Sequence, residues 1–255
     1  MSSLSLDVRP QLWCANCGFI FPLLVLVALF GTGVLPPQSP NHSAEQIAAW
    51  YQEDNTLKLA GFAGAAAALA LLIPLTVAIT IQMFRIEGRS PAMSLLQFAG
   101  GTFTWVITIV PMIILCAAAF RPDRDPEITQ TLSDLGYIGF FMGFAPFAVQ
   151  DVAIAVAILR DRSPVPVFAR WVAWFNLWVA FLFLPAVVIP FFKVGPFTYR
   201  GLLAFWIPTL IYGLWAMVMA YVTRQAIRQQ AEEEARFDAA AGDAPAAAAA
   251  VPVAA

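Results

Sequence analysis

The chain has 255 residues, of which 60% are hydrophobic and only 12% are charged, and its formal net charge is −2. A soluble domain carries about twice that share of charged side chains, so this composition excludes an ordinary soluble globule. The negative net charge also argues against a nucleic-acid partner, which requires a basic face.

Six apolar stretches are long enough to cross a bilayer as helices, since about 18 to 20 apolar residues span its hydrocarbon core. Their uniform composition, with little alternation, favours helices over the strands of a membrane barrel. We therefore predict an all-α membrane protein, a six-transmembrane-helix bundle over residues 18–225. The predicted spans are 18–35, 59–84, 92–120, 136–159, 171–192 and 201–223.

The basic residues near the span ends divide unequally, with nine on one side and five on the other. Positive charges are retained in the cytoplasm, so the side with nine is predicted to be cytoplasmic. Both termini then lie there: residues 1–17 form the N-terminal segment, and 226–255 a helix end followed by a disordered tail of Ala and Pro. The Ala- and Pro-rich composition indicates a high-GC bacterium, and hence its inner membrane.

The first outer loop contains a helix signal. Ser43 and Gln46 have the spacing of a capping box, and Ile47, Trp50 and Tyr51 fall on one helical face. This predicts a short amphipathic helix over 43–52, lying on the outer membrane surface. Its simplest role is to seal the bundle as a lid without binding a ligand.

Proline occurs inside every predicted span. An interior proline frees a carbonyl group and permits a kink, and kinked helices can open a central cavity or act as hinges. Membrane helices tolerate proline better than soluble ones do, but its presence in all six spans favours a cavity. The residues are Pro22, Pro74, Pro111, Pro146, Pro185, Pro190 and Pro208.

A weak internal repeat relates the second and third spans to the fourth and fifth. Arg89-Ser90-Pro91 recurs 73 residues later as Arg162-Ser163-Pro164. Each Ser-Pro pair could supply the cap and first turn of the following helix. Parallel repeats of this kind occur in transporters, although duplication without transport would leave the same pattern.

Asp151 is the one charged residue that the predicted boundaries do not leave outside a span. A carboxyl at that depth costs several kcal/mol, so it should be neutral, paired or facing a polar cavity. It lies roughly 13 Å from the span end at Arg160, at 1.5 Å per helical residue. Other polar residues fall in or near the same layer: Gln150, Asn176, Thr76 and Thr102, with Gln97, Tyr212 and Trp215 close by. We predict one buried polar network there, serving as a substrate- or proton-binding site.

Three functions are compatible with this site. In a transporter or binding protein for a small hydrophobic or amphipathic solute, Asp151 would carry a proton or cation. In a non-catalytic accessory or scaffold subunit of a membrane complex, it would be a hydrogen-bond hub between helices. In a membrane enzyme acting on a lipid-like substrate, it would be a general acid. The first is the primary hypothesis, and an enzyme is the last because no set of catalytic residues is evident.

The sequence predicts no metal site and no cofactor. Its single histidine, His42, lies in a loop, whereas membrane di-iron, haem and zinc sites need clustered ligands. Cys14 and Cys17 have the spacing of a redox pair but not its fold context, so we interpret them as incidental thiols beside the first span. The expected partners are the lipid bilayer and a small hydrophobic solute. The small-residue face around Gly61 and Gly64 suits a homo-oligomer, a membrane-complex contact or packing within the monomer.

Overall fold

The computed structural model describes the backbone of residues 8–249 and the side chains of residues 8–239. Within these ranges the chain is helical, without strands, and six helical stretches are long and apolar enough to cross a membrane. They cover Arg9–Phe30, Asn55–Glu87, Ala92–Phe120, Pro126–Arg160, Arg170–Phe191 and Leu202–Ala239. The predicted all-α bundle of six transmembrane helices is confirmed.

The first span lies closer to the N-terminus than the sequence predicted. Helix α1 covers Arg9–Phe30 instead of 18–35. Pro10 suits the first helical turn, where its missing N–H is not needed, and the positive φ of Gly33 suits the turn after the helix. Cys14 and Cys17 therefore lie within the helix, not in a segment before it.

The predicted short helix is present as α2, Ala44–Gln52, and its capping box is formed. Gln46 N donates to Ser43 Oγ at 3.3 Å, and Ser43 N donates to Gln46 Oε1 at 2.9 Å. The apolar face is buried, and the Tyr51 hydroxyl donates to Ser133 Oγ at 3.2 Å. Helix α2 thus packs on the bundle as a lid.

Four of the six described spans are interrupted close to a proline, because proline cannot donate the helical hydrogen bond and crowds the preceding turn. The first two interruptions separate α3 from α4 and α6 from α7, and the fifth and sixth spans contain a 3₁₀ and a π segment. The elements are α3 Asn55–Leu69, α4 Leu72–Glu87, α5 Ala92–Phe120, α6 Pro126–Met142, α7 Ala145–Arg160, α8 Arg170–Leu182, the 3₁₀ segment Leu184–Phe191, the π turn Leu202–Trp206 and α9 Ile207–Ala249.

Helices α4 and α7 have equal length and begin and end at the offset of the sequence repeat, 73 residues. Each follows an interruption in its span, so the interruption recurs as well. The predicted capping by the Ser-Pro pairs is wrong, however. Ser94 at the start of α5 receives its cap from the Glu87 carboxylate, and α8 begins only at Arg170, well after Pro164. At the first place the Glu87 carboxylate thus satisfies N–H groups in the first turn of α5, whereas at the second the Asp161 carboxylate binds N–H groups of the loop before α8.

The small-residue face of α3 packs within the monomer. A Cβ on Gly61 would clash with the Ala28 carbonyl of α1 and with the hydroxyl of Thr32 in the turn after it, and a Cβ on Gly64 would contact Ala28 Cβ at 3.4 Å. Of the roles considered for this face, intramolecular close packing is the one that the structure contains.

The two ends of the bundle differ. The basic end, which holds Arg85, Arg160 and Arg170, also carries the long extension of α9; the long-loop end holds α2 and the loop around Tyr199. At the basic end Arg85 forms an ion pair with Glu233 of α9 at 2.7 Å. Helix α9 continues to Ala249, so the disorder predicted from about residue 239 is not found there, since alanine has the highest helix propensity. Residues 250–255 lie outside the described range.

The Asp161 side chain stabilises the loop between α7 and α8 through hydrogen bonds to its backbone. Its carboxylate accepts hydrogen bonds from Ser163 N at 2.9 Å and Val167 N at 3.0 Å. Burial raises the pKa of this carboxyl, but the hydrogen bonds from Ser163 and Val167 and the charge of Arg85 outweigh that effect and hold the pKa below its ordinary value.

Asp161→Asn is therefore expected to lower the free energy of unfolding by about 1–2 kcal/mol near neutral pH, through loss of charge-assisted hydrogen bonds. A carboxylate with a lowered pKa stabilises the fold above its ordinary pKa and loses that contribution as the pH falls through the folded-state value. Thermal unfolding in detergent should show a difference between the two proteins near neutral pH that vanishes in strong acid. A difference independent of pH would contradict this account.

Candidate functional site

An apolar cavity of about 260 Å³ lies in the half of the bundle towards the long-loop end. It forms where interrupted helices leave space, because Gly143, Phe183 and Pro208 line it beside three of the interruptions. The cavity that the prolines favoured is thus present. Its wall includes Leu26 of α1 and Leu210 of α9, which are 49% and 65% exposed on the bundle surface. The cavity is therefore open sideways, towards the region that hydrocarbon would occupy.

Each end of the cavity carries a tyrosine: Tyr137 towards the long-loop end and Tyr212 towards the basic end. Around Tyr212 aromatic rings form a floor. The rings of Tyr212 and Trp215 are stacked with centroids 6.0 Å apart, and Phe147 meets them edge-on at 4.8 and 4.9 Å. This aromatic floor, Phe147, Tyr212 and Trp215, separates the apolar cavity from Asp151.

Asp151 is fully buried in α7, and neither carboxyl oxygen has a hydrogen-bond partner. Trp215 lies beside the carboxyl but donates its indole N–H to Asn176, and the Tyr212 hydroxyl lies within electrostatic range. The sequence led us to expect a carboxyl that is neutral, paired or facing a polar cavity, and no pairing is found among the described residues. An ionised carboxylate without a partner at such depth is unfavourable by several kcal/mol, so this geometry suits a neutral acid.

Asn176 lies next to this site but bonds elsewhere. Its Oδ1 accepts from Trp215 Nε1 at 3.0 Å, and its Nδ2 donates to the Val172 carbonyl at 2.8 Å and towards Met219 Sδ at 3.5 Å. The amide fixes the indole of Trp215, which in turn covers Asp151. Asn176 is therefore part of the Asp151 group through Trp215, without a hydrogen bond to the carboxyl.

Gln150 belongs to a different group, between α4, α5 and α7. The side chains of Gln150 and Thr76 fit against α5 because Gly101 has no side chain. A Cβ on Gly101 would lie 2.8 Å from Thr76 Oγ1 and 3.0 Å from Gln150 Nε2. One turn along, Thr80 Oγ1 donates to Gln97 Oε1 at 2.6 Å. The single network predicted from depth is thus wrong, because adjacent residues on α7 point towards different neighbouring helices. Depth along a helix does not determine direction around it.

Thr102 is the one predicted site residue that lies outside both groups. Its side chain is exposed on the bundle surface and donates to the Phe98 carbonyl one turn back at 2.9 Å. Thr80, by contrast, was not predicted, although its spacing from Thr76 places both on one face of α4. That spacing was the available signal.

A second polar cluster lies at the long-loop end of the cavity and was also not predicted. Asp125 and Pro126 have the pattern of an N-cap and a first-turn proline, and α6 does begin at Pro126. The predicted fourth span began only at residue 136, so Asp134 was counted as lying outside the membrane. The Tyr199 hydroxyl donates to Asp134 Oδ1 at 2.9 Å, and the ring of Tyr199 stacks on Tyr137 with centroids 5.4 Å apart. We call the set Tyr51, Ser133, Asp134, Tyr137 and Tyr199 the tyrosine roof.

No family model, curated protein or solved structure matches this chain.

The arrangement is an apolar cavity with a tyrosine at each end. Asp151 lies beyond Tyr212, and Asp134 binds Tyr199, whose ring stacks on Tyr137. Apolar walls can hold a hydrocarbon group from the bilayer. The aspartate behind the aromatic floor has unused hydrogen-bonding capacity, and it can bind or release a proton when its surroundings become polar.

Proposed function

We propose that the protein binds a small hydrophobic or amphipathic solute in this cavity and carries it across the membrane, with Asp151 as the proton-carrying group. The observation that supports this most directly is a buried carboxyl without hydrogen bonds, placed one aromatic layer below an apolar cavity. At about 260 Å³ the cavity lies just under the usual size range for drug-sized ligands, so its occupant is small.

The proposed mechanism couples solute to proton through the aromatic floor. With Asp151 protonated, the closed floor is stable because no charge is buried. Deprotonation makes the closed floor unfavourable, since the carboxylate then needs water or a donor. Movement of Trp215 and Tyr212 would meet that need and at the same time open the cavity towards the basic end.

The membrane setting forms part of the proposal. The basic end would face the cytoplasm, with both termini, because the excess of Arg and Lys lies there. The membrane would be the inner membrane of a bacterium, as the composition indicates. The bilayer then supplies the solute through the sideways opening between α1 and α9.

A structural hub is less well supported. Such a role would hold the Asp151 carboxyl in hydrogen bonds between helices. Its two oxygens have none, and the nearby amide of Asn176 is fully engaged with Trp215, Val172 and Met219.

The test uses octanol carrying a diazirine as a photoreactive probe, with the purified protein in proteoliposomes over a range of pH. Label should appear on cavity residues such as Thr108 and Phe141, and its yield should change with pH. Asp151→Asn, which cannot ionise, should give a yield independent of pH, whereas Asp151→Glu should keep the dependence.

The two parts of the proposal fail separately. Label confined to the outer surface would show that the cavity is not a binding site. Label in the cavity with the same pH dependence in Asp151→Asn as in the unmodified protein would remove the proton from the mechanism.

A further inference from the structure

The tyrosine roof offers hydrogen-bond acceptors with few free donors. Each of its three tyrosines has already donated its hydroxyl proton: Tyr199 to Asp134, Tyr51 to Ser133, and Tyr137 to the Val34 carbonyl at 3.4 Å. What these tyrosines leave free are oxygen lone pairs, together with the second oxygen of Asp134. A group that binds there must therefore bring donors of its own.

The charges around the tyrosine roof also disfavour an anionic head group. Lys193 lies within electrostatic range of Asp134 but forms no ion pair with it among the described residues. Lys58 is occupied elsewhere, since its ammonium group donates to the Glu53 carbonyl and lies 4.8 Å from the centre of the Trp50 ring. An anionic head group would thus meet a carboxylate with no cation in contact, which is unfavourable.

Tyr137 connects the roof to the cavity. Its ring lines the cavity wall, and it stands three residues from Asp134, on the same side of α6. Its stacking with Tyr199 also presents aromatic faces, which attract cations. An alkyl chain in the cavity can therefore place a polar head against Tyr137, and Asp134 follows about one helical turn away, towards the start of α6.

We propose that the solute is an amphipathic amine, whose alkyl part fills the apolar cavity and whose ammonium group binds Asp134 in the tyrosine roof. This inference rests on the proposed function and specifies its solute class. The ammonium supplies both the positive charge and the donors that the three tyrosines no longer offer, and the cavity excludes water from the alkyl chain.

Competition against the photoreactive octanol probe tests the head group. Octylamine, octanol and octanoate have the same chain length and differ in charge at neutral pH. Octylamine should displace the probe from the cavity at a concentration at least about tenfold below that of octanol, which corresponds to about 1.4 kcal/mol. Octanoate should compete least well of the three.

Asp134→Asn should remove the preference for octylamine and leave competition by octanol unchanged, which also shows that the variant is folded. Glu127→Gln is the matched control, because it removes the same charge from the same end of α6 at an exposed position. An equal loss in Glu127→Gln would mean that surface charge attracts the amine, and the roof assignment would be wrong.

The failure of this inference is distinguishable from failure of the proposed function. If octanol labels the cavity but octylamine has no advantage, only the amine assignment is overturned. If no probe labels the cavity in any variant, the binding function itself is overturned.

Discussion

Trp215→Ala is expected to lower the free energy of unfolding by about 3–5 kcal/mol, as for other large aromatic residues in a packed core. The indole is 2% exposed, stacks on Tyr212, meets Phe147 edge-on and donates to Asn176. Its loss leaves a void between two helices and leaves the Asn176 carbonyl oxygen without its donor. Unfolding of the two proteins in detergent, induced by denaturant or by heat, measures the difference.

The same substitution should open a path between the cavity and Asp151, because Trp215 is part of the floor between them. Proteoliposomes containing Trp215→Ala should leak protons without added solute, as reported by an enclosed pH-sensitive dye. Trp215→Phe keeps a ring in the floor and loses only the donor to Asn176. Trp215→Phe should lower the free energy of unfolding by only about 1–3 kcal/mol, the cost of leaving the buried Asn176 oxygen without its donor. Proteoliposomes containing this variant should not leak protons. Equal leakage in both variants would contradict the role of the floor as a barrier.

The fold was predictable because a helix that crosses a membrane must be apolar over a length set by the thickness of the bilayer. Six long apolar runs left no alternative to a helical bundle, and the capping box at Ser43 identified α2 to within a residue. The first span was misplaced because polar residues near its start are satisfied by other helices. Gln11, for example, accepts a hydrogen bond from Gln82 at 2.8 Å. A hydropathy window cannot anticipate such a tertiary contact.

The site was only partly predictable for a related reason. Charge and depth were sufficient to single out Asp151, and the structure buries it as expected. Which other polar residues lie near Asp151 depends on the direction in which each side chain points around its helix. That direction separated Gln150 from Asp151 and put Thr102 on the surface, and neither result follows from depth. Asp134 was missed because the predicted span began at residue 136, so the polar first turns of α6 were counted as lying outside the membrane.

Met112→Trp is expected to reduce occupancy of the cavity by the octanol probe at least about tenfold, equivalent to about 1.4 kcal/mol of binding free energy. Met112 is a flexible side chain on α5, 3% exposed, and it lines the cavity. A tryptophan at this position would extend its ring into space that the solute needs. Because the cavity already exists, the fold should tolerate the larger side chain, and filling such a space commonly adds about 0.5–2 kcal/mol of stability.

Ile113→Trp is the matched control for this variant. It introduces the same side chain at the next position of the same helix, where the residue is 57% exposed on the surface of the bundle. This variant should bind the probe as the unmodified protein does. Loss of labelling in Met112→Trp without loss of thermal stability, and retained labelling in Ile113→Trp, would locate the solute inside the bundle. Equal labelling in both variants would place the probe on the lipid-facing surface, and the cavity would then be only a consequence of proline-interrupted helices.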